Sequence, residues 1–459
     1  MNGESDLPEG WEYGTIHEMV GQNGLFNDGD WIESKDQDPS GEVRLIQLAD
    51  IKDGYFLDKS NRHLTLEKAR ELNCTFLQGG DLLIARMPDP IGRSCIFPEV
   101  SKKAVTAVDV CIVRTNPAEI DIKWLMYSIN SPQIRELILE QSRGTTRKRI
   151  SRKNLGKILF PLPPLAEQRR IVAAVEGLLS RVNASRERLD RVTGLLKAFR
   201  QAVLAAACSG RLTEGWRENS FLENNHYQEI PFGWKVVKVE EVCHSRLGKM
   251  LDKSKNRGEF VPYLRNINVR WFDFDYSDIK TIRATESEIE NLTLIRGDLL
   301  VCEGGEPGRC AIWREADKSF IYQKALHRLR VKDNVIPEWI CYCLKNAADS
   351  GRLSDLFTGS TIKHLTGVSL KEFSFPLPPL PEQHEIVRRV ESLFALADRI
   401  EQRVAIGKER VDRLTQAILA KAFRGELVPT EAELARNEGR SYEPAKILLE
   451  RVKGNRREK

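Results

Sequence analysis

The 459-residue chain is poor in the residues that mark several protein classes. Its nine cysteines are scattered and odd in number, which argues against a disulfide framework. Seven histidines are spread thinly, and no Cys/His cluster has zinc spacing. The one close pair, Cys341 and Cys343 in "PEWICYCLKN", reads as buried thiols on a helix that starts at Pro337. No stretch approaches the roughly 20 apolar residues of a membrane span. "MNGESDLPEGW" lacks the basic and apolar regions of a signal peptide, so a cytoplasmic protein is expected. Catalytic signatures are also missing: there is no GxxxxGK[ST] phosphate loop and no HExxH. The net charge of +5 permits a nucleic-acid partner without requiring one.

What is present is a repeat. "FPLPPLAEQRRIV" from Phe160 returns as "FPLPPLPEQHEIV" from Phe375, an offset of 215. The offset holds downstream, where "RQAVLAAACSGRL" overlies "TQAILAKAFRGEL". It holds upstream for Trp124 and Trp339, and for Lys148 and Lys363. Further back it drifts, so that "GDLLIA" at Gly80 pairs with "GDLLVC" at Gly297 and Trp11 pairs with Trp234. Two copies of one unit are implied, each a divergent block of about 150 residues followed by a well-matched segment of about 60.

Each segment carries a seven-residue apolar beat. The first runs through Ile171, Val175, Leu178, Val182, Ser185, Leu189, Val192, Leu196, Phe199 and Val203. The second runs through Ile386, Val390, Leu393, Ala397, Ile400, Val404, Gly407, Val411, Leu414 and Ile418. A seam sustained at this period predicts a coiled coil, with helices about 65 Å long. Ser185 and Gly407 interrupt the seam. The prolines of "PLPP" predict a stiff extended connector that continues neither strand nor helix, and Glu167 and Glu382 suit the first helical turn. The blocks read as mixed α/β: "VRLIQLADI", "GDLLIAR", "AVDVCIVR" and "GDLLVCEG" are strand-like, and "DIKWLMYSINSPQIRELILEQS" is helical with a break at Pro132.

Candidate contact residues follow from charge and side-chain chemistry. "RGTTRKRISRK" places Thr146, Arg147, Lys148 and Arg149 in a run suited to phosphate contact, matched by Thr361 and Lys363 in "TGSTIKHLTG". The loops "RMPDPIGRSC" and "EGGEPGRC" follow strands, and a functional reading has them bring Arg86, Arg93 or Arg309 to a surface. "YLRNINVRWFDFDY" offers Arg265, Asn266, Asn268 and Arg270, side chains able to read guanine and adenine edges. Gln47, in the strand-like "VRLIQLADI", is a further DNA-contact candidate. The bland alternatives are a solvated charge run, tight turns and a plain strand.

Taken together, "PLPPLAEQRRIV", "PLPPLPEQHEIV", "GTTRKRIS", "GSTIKHLT", "AILAKAFRGEL" and "PAKILLERVK" resemble the specificity subunit of type I restriction–modification systems over nearly the whole chain. The resemblance implies an α+β fold: two target-recognition domains (1–159 and 216–374), helical spacers (160–215 and 375–430) that pair as an antiparallel coiled coil, and a basic tail (431–459). It implies that each domain reads one half of a bipartite site in double-stranded DNA and that the spacer sets the gap. No chemistry or cofactor belongs to such a chain. Two methylation subunits use S-adenosylmethionine on adenine, and two motor-nuclease subunits use ATP and Mg. The rivals are a complete methyltransferase, which "PLPP" does not support because it lacks the Asn or Asp of an (N/D)PP(Y/F) loop, and a coiled-coil scaffold indifferent to DNA.

Overall fold

The computed structural model describes residues 7–22, 24–144, 147–218, 230–252, 256–315, 319–359 and 363–454. The chain forms two compact units. One comprises the residues up to Leu189 together with those from Ile406 onward; the other is Asp190–Ala405. Each long helix therefore contributes one part to each unit.

The first block holds nine strands: β1 (Glu12–Gly14), β2 (Leu25–Asp28), β3 (Val43–Ile46), β4 (His63–Leu64), β5 (Leu82–Ala85), β6 (Ser94–Ile96), β7 (Ala104–Thr106), β8 (Val110–Arg114) and β9 (Phe160–Leu162). They form sheets ordered β2-β8-β5-β6 and β4-β3-β7 and a β1-β9 pair. The second block repeats this strand for strand: β10 (Lys235–Lys238), β11 (Cys243–Leu247), β12 (Glu259–Leu264), β13 (Lys280–Ala284), β14 (Leu299–Cys302), β15 (Cys310–Ile312), β16 (Ile321–Tyr322), β17 (Leu326–Val331) and β18 (Ser374–Leu377). Its sheets are β11-β17-β14-β15 and β13-β12-β16, with β10-β18 as the pair. The divergent sequences thus share one topology.

The recurrent "GDLL" shows how. Gly80 and Gly297 adopt φ of +93° and +94°, a left-handed geometry that costs glycine nothing. The next residue, Asp81 or Asp298, is buried. It takes a two-pronged ion pair from an arginine of the neighbouring strand, Arg114 at 2.6 and 2.7 Å and Arg330 at 2.7 and 2.8 Å. This pairing raises the pKa of both guanidiniums. β5 and β14 then run buried on both faces, which is why they read as unbroken apolar runs.

The proline connectors depart from expectation. Phe160–Leu162 and Ser374–Leu377 are strands, with Pro161 opposite Tyr13 and Pro376 opposite Val236. Each lies in a two-stranded ribbon whose outer edge needs no donor, so a missing N–H is tolerated there. Pro132 behaves as read: helix Ile122–Ile129 ends, and Pro132–Glu140 begins with Ser131 as its cap.

The long helices are Leu165–Cys208 and Leu380–Ala422, of 44 and 43 residues. In the first unit Leu189 faces Gly407, where an added Cβ would lie 3.3 Å from the leucine, and Arg186 pairs with Asp412 at 2.6 Å. Ile171 and Val175 share a core with Leu419, Ala422 and Phe423, so the two helix segments run antiparallel. In the second unit Arg200 pairs with Asp398 and Glu401, and Val203, Leu204 and Ala207 share a core with Ile386 and Val390. The direction is again antiparallel. Ile171, Val175, Ile386, Val390, Val404 and Val411 are buried, and Leu178, Val182, Leu189, Val192, Leu393 and Ile400 are half-buried. Leu414 departs from the seam: it is 53% exposed, and burial passes to Thr415, Ile418 and Leu419. A straight helix drifts by about 20° per heptad, which carries Leu414 off the stripe. The described part of the tail is largely helical. Helix Ala445–Gly454 buries Leu448, Leu449 and Val452, and Lys453 pairs with Glu18 of the first block.

Candidate nucleic-acid interface

In each block three loops converge beyond the ends of β5 and β14. The first is a closed loop. Arg143 and Arg149 exchange two backbone hydrogen bonds of 2.9 and 2.8 Å, with Gly144 at φ +113°. Thr358 and His364 do the same at 2.9 Å each, with Gly359 at +92°. Each loop is tied to its strand end, Ile150 N–H to the Arg86 carbonyl at 3.1 Å and Leu365 N–H to the Glu303 carbonyl at 2.8 Å. Arg147, Lys148 and Lys363 are exposed, and Arg149 is exposed beside Asp109 at 3.1 Å. Thr146 and Thr361 lie outside the described residues.

The second loop is the turn 86–93 or 303–309. Here the expectation of surface arginines is corrected. Arg93 is 5% exposed. Its guanidinium donates to the carbonyls of Ile51, Leu48 and Pro90 at 2.8, 2.8 and 2.9 Å and to Met87 at 3.2 Å. Arg309 turns inward in the same way, with Nη2 on the Asn266 carbonyl at 2.8 Å and Nη1 on Glu306 at 3.0 Å. Arg86 is buried against Asp28 at 3.3 Å and the Val108 carbonyl. Five N–H donors in a rigid fork suit arginine to gathering backbone carbonyls, and the loops need that more than they need an outward charge.

The third loop follows β3 or β12 through a short 3₁₀ turn, Leu48–Asp50 or Asn266–Asn268. Asp50 accepts from the N–H groups of Gln47, Lys59 and Ser60 at 2.8, 2.9 and 2.7 Å. Asn268 takes the same place. Its Oδ1 accepts from Arg265 N–H at 3.0 Å, and its Nδ2 donates to the carbonyls of Asp275 and Asp278 at 2.9 and 3.1 Å. At 2% exposure it has no edge left for a base. Arg265 is committed to Asp278 at 2.7 Å. Arg270 is half-exposed and paired with Asp275 at 2.9 Å, and Gln47 is half-buried. The tip of this loop faces protein: Phe272 sits at φ +69° where the first block has Gly54 at +83°. Its ring lies 5.9 Å from Tyr342 and 6.0 Å from Phe394. A left-handed phenylalanine costs about 1–3 kcal/mol, which edge-on aromatic contacts of about 0.5–1.5 kcal/mol each help offset.

Asn266 is the exception: half-buried, it meets Gln323 across 3.0 Å. Gln323 and the exposed Lys324 were not read from the sequence. Overlaying "AVDVC" on "QKALH" between matched strands would have marked them as a turn that differs between the copies. No group of His, Cys, Asp and Glu among the described residues could hold a metal ion, and no helix among them is long and apolar enough to cross a membrane.

Two blocks of one topology, each presenting loops around a shared strand end, define a duplicated recognition scaffold. The family model described as type I restriction modification DNA specificity domain matches twice, at residues 8–193 and 231–406, and the chain belongs to that family. It is 34% identical over 343 residues to the EcoKI specificity subunit of Escherichia coli K12, covering 72% of this chain and 71% of the relative. To the EcoBI specificity subunit of E. coli it is 32% identical over 370 residues, covering 78% and 76%. Among solved structures, a chain from work on assembly and conformational transition of the type I R-M system superposes with a TM-score of 0.68 at 23% identity, covering 92% of this chain and 99% of that one. The HsdS subunit from Thermoanaerobacter tengcongensis gives 0.51 at 22%, covering 92% and 98%. At these identities the two structures speak for the fold.

Proposed function

We propose that the chain is the DNA sequence-recognition subunit of a type I restriction–modification complex in the cytoplasm. Each block reads one half of an asymmetric bipartite site. The paired helices set the gap and scaffold two adenine-methyltransferase subunits and, through them, two motor-nuclease subunits. The chain itself makes and breaks no covalent bond; S-adenosylmethionine, ATP and Mg serve its partners. Arg147, Lys148, Arg149 and Lys363 contact phosphate. The observation that carries this reading is the double family match laid over two blocks with identical strand order and different loop chemistry. A scaffold would have no use for the second property, whereas a reader of an asymmetric site requires it.

Sequencing of methylated bases in cells that express the chain with its methylation partner tests it. One bipartite motif with methylated adenine in both halves is expected. No new methylation, or a motif without an unread gap, would reject the reading.

A further inference from the structure

We propose that the amide pair Asn266–Gln323 is a base-reading element of the second block. The matching positions in the first block, Leu48 and Ala107, replace it with an apolar surface, so the two half-sites are read by different chemistry. This rests on the recognition role proposed above and assigns it to particular side chains.

The pair is held from behind. Gln323 is the first residue after β16. Its N–H donates to the Leu264 carbonyl at 3.0 Å, Lys324 N–H donates to the Lys249 carbonyl at 2.8 Å, and Glu303 N–H reaches the Ala325 carbonyl at 3.0 Å. The turn is therefore anchored to three strand ends. The Asn266 backbone is pinned through its carbonyl by Arg309. Between the side chains, Gln323 Nε2 donates to Asn266 Oδ1 at 3.0 Å, so each amide orients the other.

Two polar groups are left over. Asn266 Nδ2 has only a long contact, 3.5 Å, to the Gly304 carbonyl, and no described residue donates to Gln323 Oε1. One donor and one acceptor stand side by side. The major-groove edge of adenine offers the complement, the N7 acceptor and the N6 amino donor. Gly304 and Gly305 adjoin the pair and carry no side chain. A Cβ on Gly305 would lie 3.5 Å from Asn266 Nδ2, and one on Gly304 would lie 3.2 Å from His364 Nδ1. Gly304 is buried and Gly305 exposed, so it is the bare backbone at Gly305 that lets a base edge approach. The exposed Lys324 and Lys363 supply nearby positive charge for the phosphates.

The first block has the same turn with other contents. Ala107 N–H donates to the Ile46 carbonyl at 3.0 Å, as Gln323 does to Leu264. Leu48 occupies the Asn266 place and packs against a core of the first block. The positions of Gly304 and Gly305 are taken by Met87 and Pro88. An apolar surface of this kind suits the thymine methyl group and cannot hydrogen-bond an adenine edge.

The test uses the chain in complex with its methylation partner and compares methylated motifs of wild type, Asn266→Ala, Gln323→Ala and the double variant Asn266→Leu/Gln323→Ala. The expected result is loss of preference at one adenine-containing position of one half-site, by roughly 5- to 150-fold, with the other half-site and the gap unchanged. An unaltered motif in the double variant overturns the proposal. Equal loss at every position of both halves also overturns it, since that is the mark of a structural role. If the double variant does not fold, Asn266→Asp keeps the shape and removes the donor, and an unchanged motif there overturns the proposal equally. A wild-type chain that yields no bipartite motif would instead refute the recognition role, an outcome separable from failure of the pair.

Discussion

The indole nitrogen of Trp11 stands 2.9 Å from Oε1 of Glu167 although 156 residues separate them. Trp234 repeats this with Glu382 at 2.9 Å. Each contact ties the start of a block to the helix that follows it, and each carboxylate has a second duty. Glu167 Oε2 accepts the N–H of Glu431 at 2.8 Å, while Glu382 Oε1 receives Thr213 at 2.7 Å and the buried Arg217 at 2.5 Å. The neighbouring glutamines complete the join. Gln168 bridges the Pro163 carbonyl and Asp121 N–H at 2.9 Å each, and Gln383 bridges the Pro378 carbonyl and Ile336 N–H. The repeated "PPLxEQ" is therefore a buried clasp.

The two clasps differ in what they leave behind when broken. Glu382→Ala strands a guanidinium that is 6% exposed, and breaking a buried ion pair costs about 3–5 kcal/mol. Glu167→Ala strands neutral donors, at about 1–3 kcal/mol each, and burial already pushes its carboxyl pKa up. Urea unfolding should show the larger loss for Glu382→Ala. Equal losses would mean that Arg217 finds another partner.

A second contrast separates charge that faces out from charge that faces in. Replacing Arg147 or Lys148 by Ala should weaken binding to all DNA sequences alike and flatten the log–log salt slope by about one unit each. Stability should stay within about 0.5 kcal/mol of wild type. Arg93→Ala should do the reverse, because it orphans the carbonyls of Leu48 and Ile51, and unfolding should move while the salt slope holds. A salt slope unchanged in Arg147→Ala would show that this charge is only solvated.

These contrasts show where the sequence was legible. The repeat, the seam and the strands around "GDLL" could be read because periodicity and burial act on many residues at once. The long-range partners of Arg93, Arg309 and Asn268 could not, since an arginine near a strand end has the same local signature whether it serves a phosphate or, like Arg93, four backbone carbonyls. The clasp was half visible: Glu167 and Glu382 stood out by repetition, but Trp11 and Trp234 are too distant in sequence for any local rule to connect them. Leu414 was misplaced by treating a 3.5-residue beat as unvarying.

Acidification supplies a third test. His327 on β17 is 3% exposed, its Nε2 lacks a hydrogen-bond partner, and Glu303 lies 3.7 Å away. Burial pushes its pKa below the usual histidine value, and Glu303 opposes this only in part. The unfolded chain then binds more protons than the folded one from about pH 6.5 down to the depressed value. Stability contributed by the neutral ring is full above that window and is lost as pH falls through it. The first block has Cys111 at this place. His327→Cys should lose less of its melting temperature between pH 7.5 and 5.5 than wild type, and equal losses would show that other groups set the acid limb.

The paired helices set the last test. Ser185 is exposed between the half-buried seam residues Val182 and Leu189, and Gly407 makes room for Leu189 beyond it. Four residues inserted between Val182 and Leu189 add about 6 Å of helix and form a stutter, which shifts local winding yet restores a usable seam. One base pair occupies about 3.4 Å along the duplex, so the half-sites should persist while the unread gap grows by one or two base pairs. Inserting one or two residues should instead rotate the seam off its partner and lower the melting temperature. Methylated-base sequencing of the four-residue variant decides the matter. If both half-sites survive with an unchanged gap, the distance between them is set by something other than these helices.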